Sequence, residues 1–193
     1  MSVKQFDDFQ KCNIWSFDID GVLNNYPILW LDFLFSKTKK RFENTENAKL
    51  ELKENYGILK HQYRTDGIKF NYLIDNEIKC LFELLNSQKK QIIISTTRPF
   101  DKYPMMYNQT VEWLIRNNIK FSKLTKKYNP YINFDIHIDN ELEHIIELNK
   151  IFDNKKHILY TKHNPLERNK IFSSNIDITI VDNIAIIINI LNV

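Results

Sequence analysis

Ile14-Trp15-Ser16-Phe17-Asp18-Ile19-Asp20-Gly21-Val22-Leu23 is an apolar run that ends on two carboxylates two residues apart, followed by a glycine. The brevity and the aromatic and β-branched content of its first four residues predict a buried strand rather than a helix. Asp18 and Asp20 then stand at the carboxyl tip of that strand. Like charges at close range raise one pKa, and a pair with no task there would only destabilise the fold. The physical use of such a pair is a division of labour. One carboxylate attacks a phosphorus atom or binds a cation, and the other keeps or shuttles a proton. Gly21 lets the chain turn sharply just after them. The plainer reading is a strand-to-turn Asp-Gly with Asp18 as an ordinary cap.

Outward from this stretch, further short apolar runs predict strands at residues 91–95 (QIIIS), 134–138 (FDIHI), 157–160 (HILY) and 178–181 (ITIV). Helical patterns lie between them. Residues 76–85 place Ile78, Leu81, Phe82 and Leu85 on one face, and residues 110–115, 142–152 and 184–191 behave alike. Strands alternating with helices predict an α/β fold, a doubly wound parallel sheet with ligands at the carboxyl ends of its strands. Residues 24–76 break the rhythm. They hold aromatic-rich helical patterns at 29–42 and 48–56 and no convincing strand, which is too much chain for one crossover helix. The expected organisation is therefore a core of residues 1–23 and 77–193, with residues 24–76 as a small helical cap inserted after the first strand.

Composition narrows the classes. The chain has 193 residues, 43% hydrophobic and 13% aromatic, which excludes disorder. With 3 Gly and 5 Pro it is not collagen-like or linker-rich. Ala occurs only at Ala48 and Ala185 while Ile, Asn and Lys abound, a skew toward AT-rich codons that says little about function. The net charge, 27 − 24 = +3, is far from that of a dedicated nucleic-acid binder, so no stable nucleic-acid partner is expected. The basic run at 37–41 (KTKKR) reads as a solvated helix face. Cys12 and Cys80 alone form no disulfide framework, which suits a reducing interior. The first residues, MSVKQFDDFQKCN, lack a signal-peptide core, and the most apolar stretch, 184–191, is short of the roughly 20 residues that span a bilayer. The expectation is a cytoplasmic protein with no membrane partner.

Other strand ends carry weaker signals. Ser95-Thr96-Thr97-Arg98-Pro99 offers hydroxyls that can donate to a phosphoryl oxygen, or simply make a turn. Ile138-Asp139-Asn140, with Glu141 and Glu143 behind, offers the oxygen that a hard cation such as Mg²⁺ needs, or a helix N-cap. Lys126 and Lys127 precede that strand. The five histidines show no zinc spacing, although His137 and His144 flank the acidic strand end.

The order of these weak signals is more specific than any one of them. Asp-x-Asp-Gly, then Thr-x-Arg, then a lysine, then an acidic strand end resembles the haloacid dehalogenase-like (HAD) superfamily, over about residues 14–143. FDIDGVL is close to the family form. The resemblance implies a Rossmann-like core and a Mg²⁺-dependent phosphoric monoester hydrolase. Asp18 would be the nucleophile that forms an aspartyl-phosphate. Asp20 would protonate the leaving oxygen and then activate water. Thr96, with Thr97 beside it, would bind the phosphoryl group, and Lys126 or Lys127 would steady its charge. Mg²⁺ would be held by the Asp18 side chain, the Asp20 backbone carbonyl and Asp139. Where members often carry a second Asp, this chain has Asn140, and Asn140 or Glu143 would support the metal.

The insertion stands where the superfamily places C1-type caps, which choose the substrate. Arg64 or Lys69 would meet a second anionic group, and Tyr26, Trp30 or Tyr63 would stack on a ring; the plainer and preferred reading is that the aromatics fill the small cap's own core and the bases face water. Residues 110–114 (TVEWL), 118–121 (NIKF) and His163-Asn164-Pro165 are similar to 5′-nucleotidase and deoxyribonucleotidase-like members, implying a small phosphorylated partner of the (deoxy)nucleoside monophosphate class. Sugar phosphates or other small phosphomonoesters, a polynucleotide end, and a catalytically silent binding module are the alternatives.

Overall fold

Isoleucine-rich strands of this chain form a single parallel sheet in the order β3-β2-β1-β4-β5-β6. They are β1 (Ile14–Phe17), β2 (Gln91–Thr96), β3 (Lys123–Lys126), β4 (Ile136–Asp139), β5 (Lys156–Tyr160) and β6 (Ile178–Val181). The computed structural model describes residues 8–152, 154–163, 165, 167–169 and 178–192; Asn164 and the first seven residues, parts of stretches weighed above, lie outside them. Each strand expected from sequence forms, within a residue or two of the expected ends. The strand not anticipated is β3. Its sequence, KLTK, buries only Leu124 and Thr125 and leaves a lysine exposed at each end. An edge strand defended by lysines has no apolar run to betray it.

Helices of the crossovers between parallel strands, and the helix after the last strand, cover the sheet faces. After the insertion these are α4 (Asn76–Ser87), α5 (Met105–Arg116), α6 (Leu142–Ile151) and α7 (Ile184–Leu191). Strand period two divides the faces. Trp15, Phe17, Ile92, Ile94, Ile136 and Ile138 join one core with Ile78, Phe82 and Ile187. Phe17 and Phe82 meet with ring centroids 4.6 Å apart. The alternating residues Ser16, Ser95, His137 and Asp139 are also buried, and they are polar. They form one hydrogen-bonded row: Ser95 Oγ to Ser16 Oγ at 2.9 Å, Ser16 Oγ to His137 Nδ1 at 3.0 Å, and His137 Nε2 to Asp139 Oδ2 at 3.1 Å. Burial pulls His137 below its ordinary value. A neutral ring with its proton on Nε2 satisfies the whole row.

Between β1 and α4 come α1 (Ile28–Thr38), α2 (Thr45–Leu52), α3 (Glu54–Thr65) and a short 3₁₀ turn at Ile68–Phe70. The pattern at 48–56 is split, because the chain turns at Lys53 with φ 50° between α2 and α3. Asn44 caps α2, accepting from the Asn47 amide at 2.8 Å. These helices bury Trp30, Phe33, Leu34, Ala48 and Tyr63 in a cluster of their own, apart from the sheet core. Among the described residues, no helix is long and apolar enough to cross a membrane.

His157 on β5 is buried with neither ring nitrogen hydrogen-bonded. Burial pulls it from 6.5 down to about 4. As pH falls, the unfolded chain therefore takes up this proton first, and stability present above pH 6.5 is lost toward pH 4. The expected loss is about 3 kcal/mol. Asp18 titrates over the same range with the opposite sign, so the measure is the difference between the protein and His157→Phe in urea titrations across that window, which should change by that amount.

Candidate active site

The end of β1 is held by the sheet for one residue more, since the Asp18 amide donates to Ile138 O at 2.9 Å. The chain then turns over itself, with Leu23 N donating to Ile19 O at 2.9 Å. Gly21 makes this possible at φ +102°, and its Cα lies against Asn140 so closely that a Cβ would sit 2.3 Å from Asn140 Nδ2. Asn140 is itself buried. Gly21→Ala should therefore cost about 1–3 kcal/mol in backbone strain alone, plus the displacement of Asn140. Denaturant unfolding of the variant measures the sum, and a change within about 0.5 kcal/mol, the usual surface effect, would contradict it.

Asp18 is buried, and the Lys127 ammonium stands 3.1 Å from its Oδ1. Beyond this ion pair Oδ1 accepts no hydrogen bond. Lys127 donates instead to Asp139 Oδ2 at 2.6 Å and lies 2.9 Å from His144 Nδ1. Burial pushes the Asp18 carboxyl up to about 7, with Lys127 opposing and Asp139 and Asp20 adding to the rise. Against its burial, Asp139 is held well below the usual carboxylate range by Lys127 and by its contacts with His137 and His144. Lys127 is raised, its own burial outweighed by the two carboxylates. Burial works to lower His144, but its contacts with Asp139 and Glu141 leave it raised.

Asp20 faces a different set of partners. Arg98 grips it with Nε to Oδ2 at 3.0 Å and Nη2 to Oδ1 at 2.7 Å. Lys69 Nζ donates to Oδ2 at 3.3 Å and Asn24 Nδ2 to Oδ1 at 2.9 Å. Arg98 is anchored in turn by Thr110 Oγ1 at 3.1 Å and lies over the rings of Phe70 and Trp113. Burial alone would raise Asp20, yet Arg98 and Lys69 hold it well below the carboxylate range.

The sequence candidates divide accordingly. Asp18, Lys127 and Asp139 meet; Asp20 and Lys69 meet beside them; and a cavity of about 200 Å³ is lined by Asp18, Asp20, Tyr26, Arg64, Lys69 and Thr97. Thr96 is buried at the end of β2, its Oγ1 accepting from the Arg98 amide at 3.3 Å. A neighbouring hollow of about 570 Å³ is lined by Thr96, Thr97, Lys126, Lys127 and Tyr128. Lys126 is exposed there and paired with Asp101. Glu143 is exposed and does not line the cavity; Glu141 does. Trp30 lies fully buried among the inserted helices, whereas Tyr63 reaches the cavity wall. Arg98, His137, His144 and Lys60, which also lines the cavity, were given no role by the sequence reading. Arg98 was visible as the last residue of Thr-x-Arg, and Lys60 as the residue one helical turn before Arg64.

A hard cation needs oxygens that have no other partner. Asn140 Oδ1 is buried without a hydrogen bond, and Asp18 Oδ1 has only the Lys127 ion pair, so these two oxygens suit such an ion best. Both Asp139 oxygens, in contrast, already have partners. Among the described residues no three His, Cys, Asp or Glu side chains cluster at metal-binding range. A set built on one or two carboxylates, an amide oxygen and a backbone carbonyl is the donor set that remains.

No protein-family model matches the chain, and no curated protein matches it in sequence. Solved structures do. The chain is similar to a "Putative Phosphatase from Clostridium difficile" at 17% identity and a TM-score of 0.50, covering 93% of this chain and 98% of that one. What is shared is the fold. A hydrolase from Streptococcus pneumoniae TIGR4 aligns over 95% of this chain and 100% of that one, at 12% identity and a TM-score of 0.43. The six-stranded parallel sheet with helices inserted after its first strand is thus a known architecture, and the chemistry must be argued from the side chains.

Proposed function

We propose that the protein is a HAD-type, Mg²⁺-dependent phosphomonoesterase acting through an aspartyl-phosphate on Asp18. The supporting observation is Asp18 itself: a buried carboxylate at a strand tip, with one oxygen lacking any hydrogen bond and a buried lysine beside it. Phosphoryl transfer asks for positioning and for neutralisation of oxygens. Lys127 and the Thr96 hydroxyl stand at adjoining strand ends to supply both. Asp18, the Asp20 backbone carbonyl and Asn140 would hold Mg²⁺, with Asp139 joining only on giving up one of its present partners, and the ion would supply further neutralisation of the phosphoryl oxygens and favour the ionised Asp18.

Asp20 is the acid–base partner in this reading. Clamped by Arg98 and Lys69, it is ionised, the form that takes a proton from water when the phosphoenzyme is hydrolysed. Protonating a leaving oxygen requires the opposite form, and the Lys69 contact, which comes from the inserted segment, opposes it. The inserted helices act as a cap over the core formed by residues 1–23 and 77–193. The substrate is a small phosphomonoester; nucleoside monophosphates follow from the resemblance, and the hollow beside Thr97, with Tyr128 on its wall, has space for a nucleoside.

Turnover of p-nitrophenyl phosphate with Mg²⁺ and with EDTA tests the reaction. Metal-dependent release is expected, and equal or absent release in both would contradict it. A screen of phosphorylated metabolites then ranks nucleoside monophosphates against sugar phosphates.

A further inference from the structure

Two of the cations around the Asp18 cavity have no acid of their own. Arg98 and Lys69 are paired with Asp20. Lys60 and Arg64 also line the cavity, and among the described residues neither makes an ion pair. They stand four residues apart on α3, so one face of the helix carries both. Like charges at that spacing repel and destabilise an isolated helix.

Lys60 is also held in place. Its Nζ donates to the Tyr26 hydroxyl at 2.9 Å and lies 4.3 Å from the Trp30 ring centroid and 4.7 Å from that of Tyr26. The Arg64 guanidinium lies over the Tyr103 ring at 5.6 Å. Aromatic faces fix such cations without neutralising them. Burial, with the charges of Lys69 and Arg64 adding to it, pulls Lys60 down to about 7. A bound anion would restore its charge.

From this juxtaposition we propose that Lys60 and Arg64 form a subsite for a second anionic group, carboxylate or phosphate, on the leaving side of a phosphomonoester whose phosphoryl group sits at Asp18. The proposal takes its orientation from the phosphomonoesterase reading and, in place of the nucleoside monophosphates that the resemblance suggests, names short doubly anionic esters as its substrate class. The cavity, about 200 Å³, is small for a ligand pocket, and it suits a short carbon chain with an anion at each end. The guanidinium fork of Arg64 matches either anion in bidentate geometry, while the compact Lys60 ammonium adds a point charge.

The test is binding to Asp18→Asn, which removes turnover and one negative charge near the phosphoryl site. Titration calorimetry would compare glycerol 3-phosphate with 3-phosphoglycerate, which replaces its terminal alcohol by a carboxylate, and with glycerol 1,3-bisphosphate. The doubly anionic ligands are expected to bind about 10–100-fold more tightly, the carboxylate and phosphate arms showing which anion is preferred. In Asp18→Asn with Lys60→Met and Arg64→Met, the preference should shrink to about threefold or less. Arg64→Met alone should reduce it in part, which covers the case in which the double replacement unfolds the inserted helices. Equal binding of all three ligands, no binding of any, or a preference that survives the replacements would overturn the subsite. Absence of metal-dependent p-nitrophenyl phosphate turnover in the unaltered protein, with the binding preference intact, would instead remove the enzyme reading alone.

Discussion

Lys127→Met is expected to lower the unfolding free energy by about 3–5 kcal/mol, the cost of removing one partner from a buried ion group. The side chain has no exposed surface, and its ammonium stands between Asp18 and Asp139. Without it, two buried carboxylates face each other with only His137 and His144 to offset them. The loss should depend on pH with a definite sign. Asp18 is already raised from 3.8 to about 7 in the folded state, so its contribution is fully present below pH 3.8 and lost as pH rises through 7. Removing the lysine raises the folded carboxylates further and steepens that decline. Urea unfolding at two pH values measures both effects. A change of under about 1 kcal/mol would mean that the lysine is not the counter-charge of the pair, since breaking such a pair costs several times that amount.

Asp18→Asn should reduce phosphatase turnover by at least about 10⁴-fold while leaving the fold as stable as before or more so. The two halves of this expectation have one cause. A carboxylate buried this deeply, with one lysine shared between it and Asp139, is costly in the resting protein, and the neutral isostere relieves that cost. The same charge is what attacks phosphorus. A stability gain joined to a loss of turnover marks a group kept for chemistry rather than for the fold. A loss of stability with turnover intact would place Asp18 among structural residues.

The sheet was legible because its central strands are short apolar runs, and Asp18 and Asp20 were legible because a carboxylate pair at a strand tip has few structural uses. What escaped was whatever depended on the lysine-bounded edge strand β3 or on distant convergence. With β3 unseen, the spacing could not choose between Lys126 and Lys127. The strand alternation does choose, since Lys126 ends β3 exposed and Lys127, bonded through its amide to Thr96 O at 3.0 Å, turns inward. Arg98 meets Asp20 across 78 positions of sequence, a pairing that no local pattern encodes. The aromatics of the insertion read as a small core, which Trp30 is; that Lys60 lies on their faces follows only from the packing of α1 against α3. Asp139 and Asn140 were read as metal ligand and support, and the hydrogen bonds give a different emphasis. Asp139 is engaged on both oxygens, whereas Asn140 Oδ1 is left without a partner.

The proposed chemistry turns on a covalent bond between Asp18 and phosphorus. It is tested most directly by quenching the protein in acid during Mg²⁺-dependent turnover of p-nitrophenyl phosphate and mapping the modified peptide by mass spectrometry. One added phosphoryl group is expected, carried by the peptide containing Asp18, labile to hydroxylamine and absent from Asp18→Asn. Turnover with no phosphoryl group on that peptide, or with the group on another residue, would contradict it.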